Sequence, residues 1–179
     1  MSYAQLIRLR WSSEILREMG QALLRTRRVR DASHASAHIE LMRRSLPDSE
    51  IARGQIDAHR LVADDVVRSQ KDAHVAACAM SVRIDCPGHC PVILTTKNLK
   101  DFRAMRLKER GIDLMHPDRF LSMLFAQNVI RVAAAFREFR ESLKSGDGAS
   151  AVLARLAKDG QVMTAMMLAA AADAGDITL

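Results

Sequence analysis

Three consecutive apolar residues, Val92-Ile-Leu, end in Thr95 and Thr96 and stand between a helical pattern and a polar loop. An apolar run this short, bounded on both sides, reads as a buried strand of a parallel sheet. Upstream, Val75, Ala76, Ala79 and Met80 recur at helical spacing, with Asp72 in the first turn, where the helix dipole favours an acid. Downstream, a short helix is expected from near Arg103, and Ile112, Leu114 and Met115 mark a second strand. Pro117 then suits the first position of another helix. Helices alternating with short apolar runs confine this part of the chain to an α/β arrangement.

The flanks are helical in character. Residues 5–11 alternate in part and suggest a short strand. Ser12 and Ser13 are N-cap candidates for a helix carrying Ile15, Leu16, Met19, Leu23 and Leu24. A basic turn with Arg27, Arg28 and Arg30 precedes a second helix, Ser33 to Leu46, closed by Pro47. Residues 48–70 are polar with weak periodicity and read mostly as loop with one turn of helix. Beyond 120, Phe125, Val129, Val132, Phe136, Phe139 and Leu143 form one sustained amphipathic helical stripe. Ser145-Gly-Asp-Gly148 punctuates it, and two further helices fit 149–158 and 161–173. Residues 1–121 therefore read as an α/β domain and 122–179 as an all-helical extension.

Composition narrows the classes. With 49% hydrophobic and 27% charged residues, wholesale disorder is excluded, and 8 Gly with 4 Pro leave little loop punctuation. The longest apolar run, Val162 to Ala172, falls short of the ~20 residues that span a bilayer. No apolar signal-peptide core is seen at the N-terminus, so a cytoplasmic location is expected. The net charge of +6 suits a polyanionic partner, while 4% aromatics argue against base-stacking platforms. Three cysteines, an odd number, read as free thiols.

The chemistry concentrates after the first strand. Polar residues at the C-terminal edge of a parallel strand are where ligands bind in such sheets. There Asp101 could hold a metal, Asn98 could orient a ligand or water, and Lys97 and Lys100 could meet phosphates. The plainer alternative makes Asp101 a cap for the next helix. Asp72 likewise sits where an N-cap acid belongs, and Glu14 and Glu18 share one helix face where either could be solvated. From Lys97 to Arg110 six basic residues face two acidic ones, and Arg25, Arg27, Arg28 and Arg30 form a second basic group; either could track an RNA backbone or form a solvated face. Cys86, His89 and Cys90, with Cys78 upstream, could ligate zinc, although structural zinc favours two separated pairs; the other reading is a loop with free thiols. His34 and His38 read as a polar helix face. Met163, Met166 and Met167 read as core filling, with a partner groove as the second reading.

Four segments in order carry a resemblance. Ser12-Ser-Glu-Ile-Leu-Arg-Glu18, Asp72-Ala-His-Val-Ala-Ala77 and Leu94-Thr-Thr-Lys-Asn-Leu-Lys-Asp-Phe102 resemble successive signatures of the PIN-domain family. Gly111-Ile-Asp-Leu-Met-His-Pro-Asp-Arg-Phe-Leu121 resembles the segment that follows in a bacterial branch that includes VapC-type toxins, and the helical tail is similar to an extension in part of that branch. The resemblance implies a PIN-like parallel sheet flanked by helices and a metal-dependent endoribonuclease, the toxin of a type II toxin–antitoxin pair. It implies Mg²⁺ or Mn²⁺ held by Glu18, Asp72 and Asp101 as metal and catalytic residues, with Asn98, Lys97, Lys100 and Arg103 toward RNA. The implied partners are an RNA substrate, a cognate antitoxin and a second copy of the chain. The family's first strand, which ends in the first metal-binding Asp, has no counterpart before Trp11, so that strand is expected to be missing, by a misassigned start or a real loss. The alternative function is a truncated, catalytically inactive remnant that binds a partner protein or RNA. A third reading is a mostly helical nucleic-acid-binding module without metal chemistry.

Overall fold

A computed structural model describes residues 6–86 and 90–179. The chain is a mostly helical α/β protein with a two-stranded parallel sheet and a helical C-terminal region. In chain order the main elements are α1 (Ser13–Arg25), α2 (Ala32–Ser45), α3 (Arg53–Asp57), α4 (Arg60–Ala63), α5 (Ala73–Asp85), β1 (Val92–Thr95), α6 (Ala104–Glu109), β2 (Ile112–Met115), α7 (Pro117–Gln127), α8 (Val129–Ser142), α9 (Ala149–Lys158) and α10 (Val162–Asp173). Two compact units divide it: Leu9–Leu94 with Asn98–Leu114, and Thr95–Lys97 with Met115–Leu179 and residues 6–8.

In the first unit, α1 begins where Ser12 caps it, the buried hydroxyl accepting from the Ile15 amide at 3.1 Å. The strand expected over 5–11 is reduced to one extended residue, because this cap starts the helix at once. Trp11 donates to the Ser49 carbonyl (3.0 Å) and accepts from the Ile51 amide (2.8 Å), a parallel pairing around Glu50. Leu6 is already helical, and Gln5 lies outside the described residues. Gly20 lets α1 and α2 approach closely, since a Cβ there would lie 3.1 Å from Ile39 Cδ1. α1 closes at Arg27, a non-glycine residue at φ 55°, with the Arg28 amide reaching back to the Leu23 carbonyl.

Residues 48–70 are more ordered than their polarity suggests. They form α3, α4 and 3₁₀ turns at Pro47–Ser49 and Asp64–Val66, because Ile51, Ile56, Ala63, Val66 and Val67 are buried in the core. At the centre lies α5, whose Ala73, Ala76, Ala77, Cys78, Ala79 and Met80 are all buried. A helix covered on most sides shows little amphipathic contrast. Its small residues let α3 and α4 pack close to it. Val92 and Leu94 of β1 and Ile112 of β2 complete this core.

In the second unit the single stripe expected from Phe125 to Leu143 is broken at Asn128 (φ −143°, ψ 53°), which separates α7 from α8. The stripe residues Phe125 and Phe136 still pack into one core, with Val152, Leu153, Ala165 and Leu168 from α9 and α10. Met163 and Met166 are exposed rather than core-filling, because Thr164, Ala165 and Leu168 take the inward positions of α10. Among the described residues no helix is long and apolar enough to cross a membrane.

Candidate functional site

Three backbone features bring the sequence-named acids into one neighbourhood. After β1 the chain enters a 3₁₀ turn, Leu99–Asp101, and then buries Phe102. Phe102 pairs antiparallel with Val67; the Arg103 amide donates to the Val66 carbonyl (2.8 Å) and the Arg68 amide to the Asp101 carbonyl (2.7 Å). Those bonds fix the Asp101 loop against the segment that leads into Asp72. Asp72 occupies the head of α5, and its own amide donates to the Ser69 carbonyl at 3.0 Å. Its carboxylate makes no capping hydrogen bond, and α6 starts behind Arg103 with no side-chain cap. Neither acid therefore does the capping work that was the plainer alternative for each.

Glu18 comes from α1, which packs on α5. Glu14, one turn earlier, is committed elsewhere, paired with Arg60 and 4.0 Å from Arg17. Burial pushes the Asp72 carboxyl above the usual aspartate range, and the negative charges of Asp101 and Glu18 push it further; His74 and Lys71 act in the opposite sense. A partly buried carboxylate crowded by two like charges is a position that favours a cation.

A fourth group, His74, was not singled out from the sequence. Its side chain is 4% exposed. Nδ1 lies 2.8 Å from the Lys71 carbonyl, which can only accept, so Nδ1 donates. Nε2 is 3.2 Å from Glu18 Oε2, yet the approach is misaligned and leaves this buried nitrogen without a hydrogen bond. The available signal was one imidazole within an otherwise small and apolar helix, directly after Asp72.

Carboxylate oxygens and concentrated negative charge suit Mg²⁺ or Mn²⁺ in donor type. The set is not closed into a cage. Among the described residues no three His, Cys, Asp or Glu side chains stand where they would jointly hold an ion. Glu18 instead turns toward His74.

The basic run is largely engaged with the protein itself. Lys97 Nζ donates to the Asp159 carbonyl (2.5 Å), in the C-terminal unit, and the Arg103 guanidinium to the Asp65 carbonyl (3.2 Å). Arg106 pairs with Glu109, Lys108 with Asp113 and Arg110 with Asp65. Lys100 and Asn98 are exposed on the Asp101 loop.

The expectation of free thiols is corrected at two positions. Cys86, the residue after α5 ends at Asp85, forms a disulfide with Cys90, their Cα atoms 5.9 Å apart. The bridge consumes two of the four zinc-ligand candidates, and His89 lies outside the described residues. Cys78 stays free inside α5, where burial pushes its thiol up to about 11. His34 is exposed and bound to Asp31, the α2 cap, and His38 is also exposed.

Comparison of the chain with protein-family models, curated proteins and solved structures gives no match.

Proposed function

We propose that this chain is a metal-dependent endoribonuclease of the PIN type, acting as the toxin of a type II toxin–antitoxin pair. The observation that supports it is the electrostatic crowding of Asp72 by Asp101 and Glu18, acids delivered by three separate segments. The four ordered sequence signatures support the same reading. Mg²⁺ or Mn²⁺ held by Asp72 and Asp101, with Glu18, would neutralise the phosphodiester and activate a water. Asp72 and Asp101 concentrate the charge that attracts the ion. Lys100, exposed on the Asp101 loop, supplies a cation for a substrate phosphate, with Asn98 beside it to orient the scissile group. The partners proposed with this activity are RNA, a cognate antitoxin and a second copy of the chain, in the cytoplasm.

A second reading, a non-catalytic remnant that binds a partner protein or RNA, is favoured by one observation: among the described residues the carboxylates do not close into a ligand set. A cleavage assay separates the two. Under the first reading the chain cleaves RNA in Mn²⁺ or Mg²⁺, chelator abolishes cleavage, and Asp72→Asn or Asp101→Asn each lowers the rate by orders of magnitude. Full activity in both variants overturns the assignment. RNA binding indifferent to divalent ions, without cleavage, establishes the second reading.

A further inference from the structure

We infer that the turn between α1 and α2 is a docking surface for the phosphodiester backbone of an RNA strand, gripped by Arg25, Arg27 and Arg30. This deepens the proposed RNA partner and rests on that part of the reading alone; it needs no divalent ion.

The three side chains are exposed, and among the described residues no acid pairs with any of them. The other basic run differs, since Arg106, Lys108 and Arg110 are neutralised by acids of their own unit. The acid next to the turn is withdrawn from it: Asp31 Oδ1 accepts from the His34 amide at 3.0 Å and lies 2.9 Å from His34 Nδ1, capping α2. The turn is also tied down. The Thr26 hydroxyl donates to the Ala22 carbonyl at 2.7 Å, the Arg27 amide to the Leu24 carbonyl at 3.0 Å and the Arg28 amide to the Leu23 carbonyl at 2.9 Å. Cations carried on a fixed backbone lose less freedom when a ligand arrives. Among the described residues Arg27 is the only non-glycine residue in the left-handed region, at φ 55°, where glycine would close the helix without penalty. Strain kept beneath an exposed charge that no acid neutralises points to a ligand for that charge. A guanidinium forks onto phosphate oxygens. Three of them within residues 25–30 call for anions of equal density, which a phosphodiester strand carries at every nucleotide. From Arg25 to Arg30 every exposed residue is polar, so nothing there anchors the turn in a bilayer. α1, the turn and α2 contain no Phe, Tyr or Trp, so bases have no ring to stack on and the grip is indifferent to sequence.

The test measures binding of the full chain to a fluorescent oligouridine by anisotropy, with chelator present, between about 50 and 200 mM salt. The wild type is compared with Arg27→Gly, with the double variant Arg25→Gln/Arg30→Gln, and with Arg44→Gln, which removes an exposed charge paired with Glu40 on α2. Each phosphate contact on a single strand contributes about 0.7 to the slope of log affinity against log salt. That slope should flatten by about 0.7 in Arg27→Gly and about 1.4 in the double variant, with affinity lowered in both, while Arg44→Gln stays like the wild type. Arg27→Gly relieves backbone strain and should melt no lower than the wild type, so its weaker binding is not a failure to fold. The double variant leaves the backbone of the turn untouched and carries the same test without a change at Arg27. Wild-type slopes in both turn variants, or an equal flattening in Arg44→Gln, overturn this inference while leaving RNA as a partner bound elsewhere. Failure of the wild type to bind oligouridine overturns the RNA partner and this inference together. Vesicles of phosphatidylcholine with phosphatidylserine form a second arm. Capture of the wild type that is lost in the turn variants, with oligouridine affinity unchanged, assigns the turn to a membrane surface and overturns the inference.

Discussion

Asp118 caps the helix that contains Thr164 from a distant point in the sequence. Its Oδ1 accepts from the Thr164 amide at 2.9 Å and hydroxyl at 2.7 Å, while Oδ2 accepts from the Met163 amide at 2.9 Å. The first amides of α10 have no partners within their own helix, and Gln161 at its start makes no side-chain cap. Asp118 satisfies two of them, and α7 is thereby fastened to α10.

The fastening should depend on pH. Burial pushes the Asp118 carboxyl up, but the Thr164 and Met163 donors outweigh it and hold the group below the usual aspartate range. A carboxyl depressed in the folded state contributes stability above its ordinary value and loses it as pH falls through the folded value. Asp118→Ala should cost about 1–2 kcal/mol at pH 7. The gap to wild type should narrow below about pH 4. Thermal unfolding of both proteins at pH 7 and pH 3 checks this, and a gap independent of pH contradicts it.

Asp72 carries the opposite sign. Its carboxyl is raised by burial first and by Asp101 and Glu18 next, so any stability it contributes is present below the ordinary aspartate value and is lost as pH rises through the folded one. Without divalent ions, Asp72→Asn should therefore melt above wild type at pH 7, and the two should converge in acid. The same variant should lose Mn²⁺ binding. A lower melting point at pH 7 would show that the acid stabilises the fold and that the crowding is not a stored cost.

Gly111 should tolerate no side chain. It sits at φ 72°, and a Cβ would lie 2.8 Å from Arg83 Nε. Arg83 also donates to the Cys86 carbonyl at 3.1 Å and the Cys90 carbonyl at 3.2 Å, so displacing it disturbs those two bonds as well. Gly111→Ala should cost about 1–2 kcal/mol from backbone conformation alone. The steric contact adds to that. Urea denaturation gives the value, and an unchanged midpoint would mean that Arg83 moves aside freely.

Arg27 offers the reverse case. As a non-glycine residue at φ 55° it closes α1 in a conformation that glycine adopts without penalty. Arg27→Gly should stabilise the protein by about 0.5–1 kcal/mol, less the added flexibility of the unfolded chain. A fall in melting temperature would assign the arginine side chain a contact that outweighs its backbone strain.

These cases mark where local sequence signals suffice. Ser12 as a cap, Val92–Thr95 and Ile112–Met115 as strands, and Pro117 as a helix start were legible because each signal lies within a few residues of its effect. The break at Asn128 was not, since apolar spacing continues unbroken across it and only backbone angles separate the two helices. Residues 48–70 were not, since Ile51, Ile56 and the Val66-Val67 pair follow no regular period, the intervening Leu61 and Val62 stay exposed, and burial comes only through tertiary packing. In the candidate site, the three carboxylates could be named from motif segments. The place of His74 could not, because tertiary packing puts its ring between the Lys71 carbonyl and an acid on α1. The Cys86–Cys90 bridge was not legible either, because cysteine counting does not reveal that the two Cα atoms come within 5.9 Å.

The alanines of α5 have a consequence for how this protein can change over generations. Ala73, Ala76, Ala77 and Ala79 are each buried, so enlarging any one forces neighbours apart at a cost of about 1–3 kcal/mol. The helix that presents Asp72 and His74 is thus nearly closed to drift. The loop that carries Asn98 and Lys100 is exposed and can vary at small structural cost. Lineages descending from this sequence have room to alter that loop, while the helix behind Asp72 stays as an inherited constant.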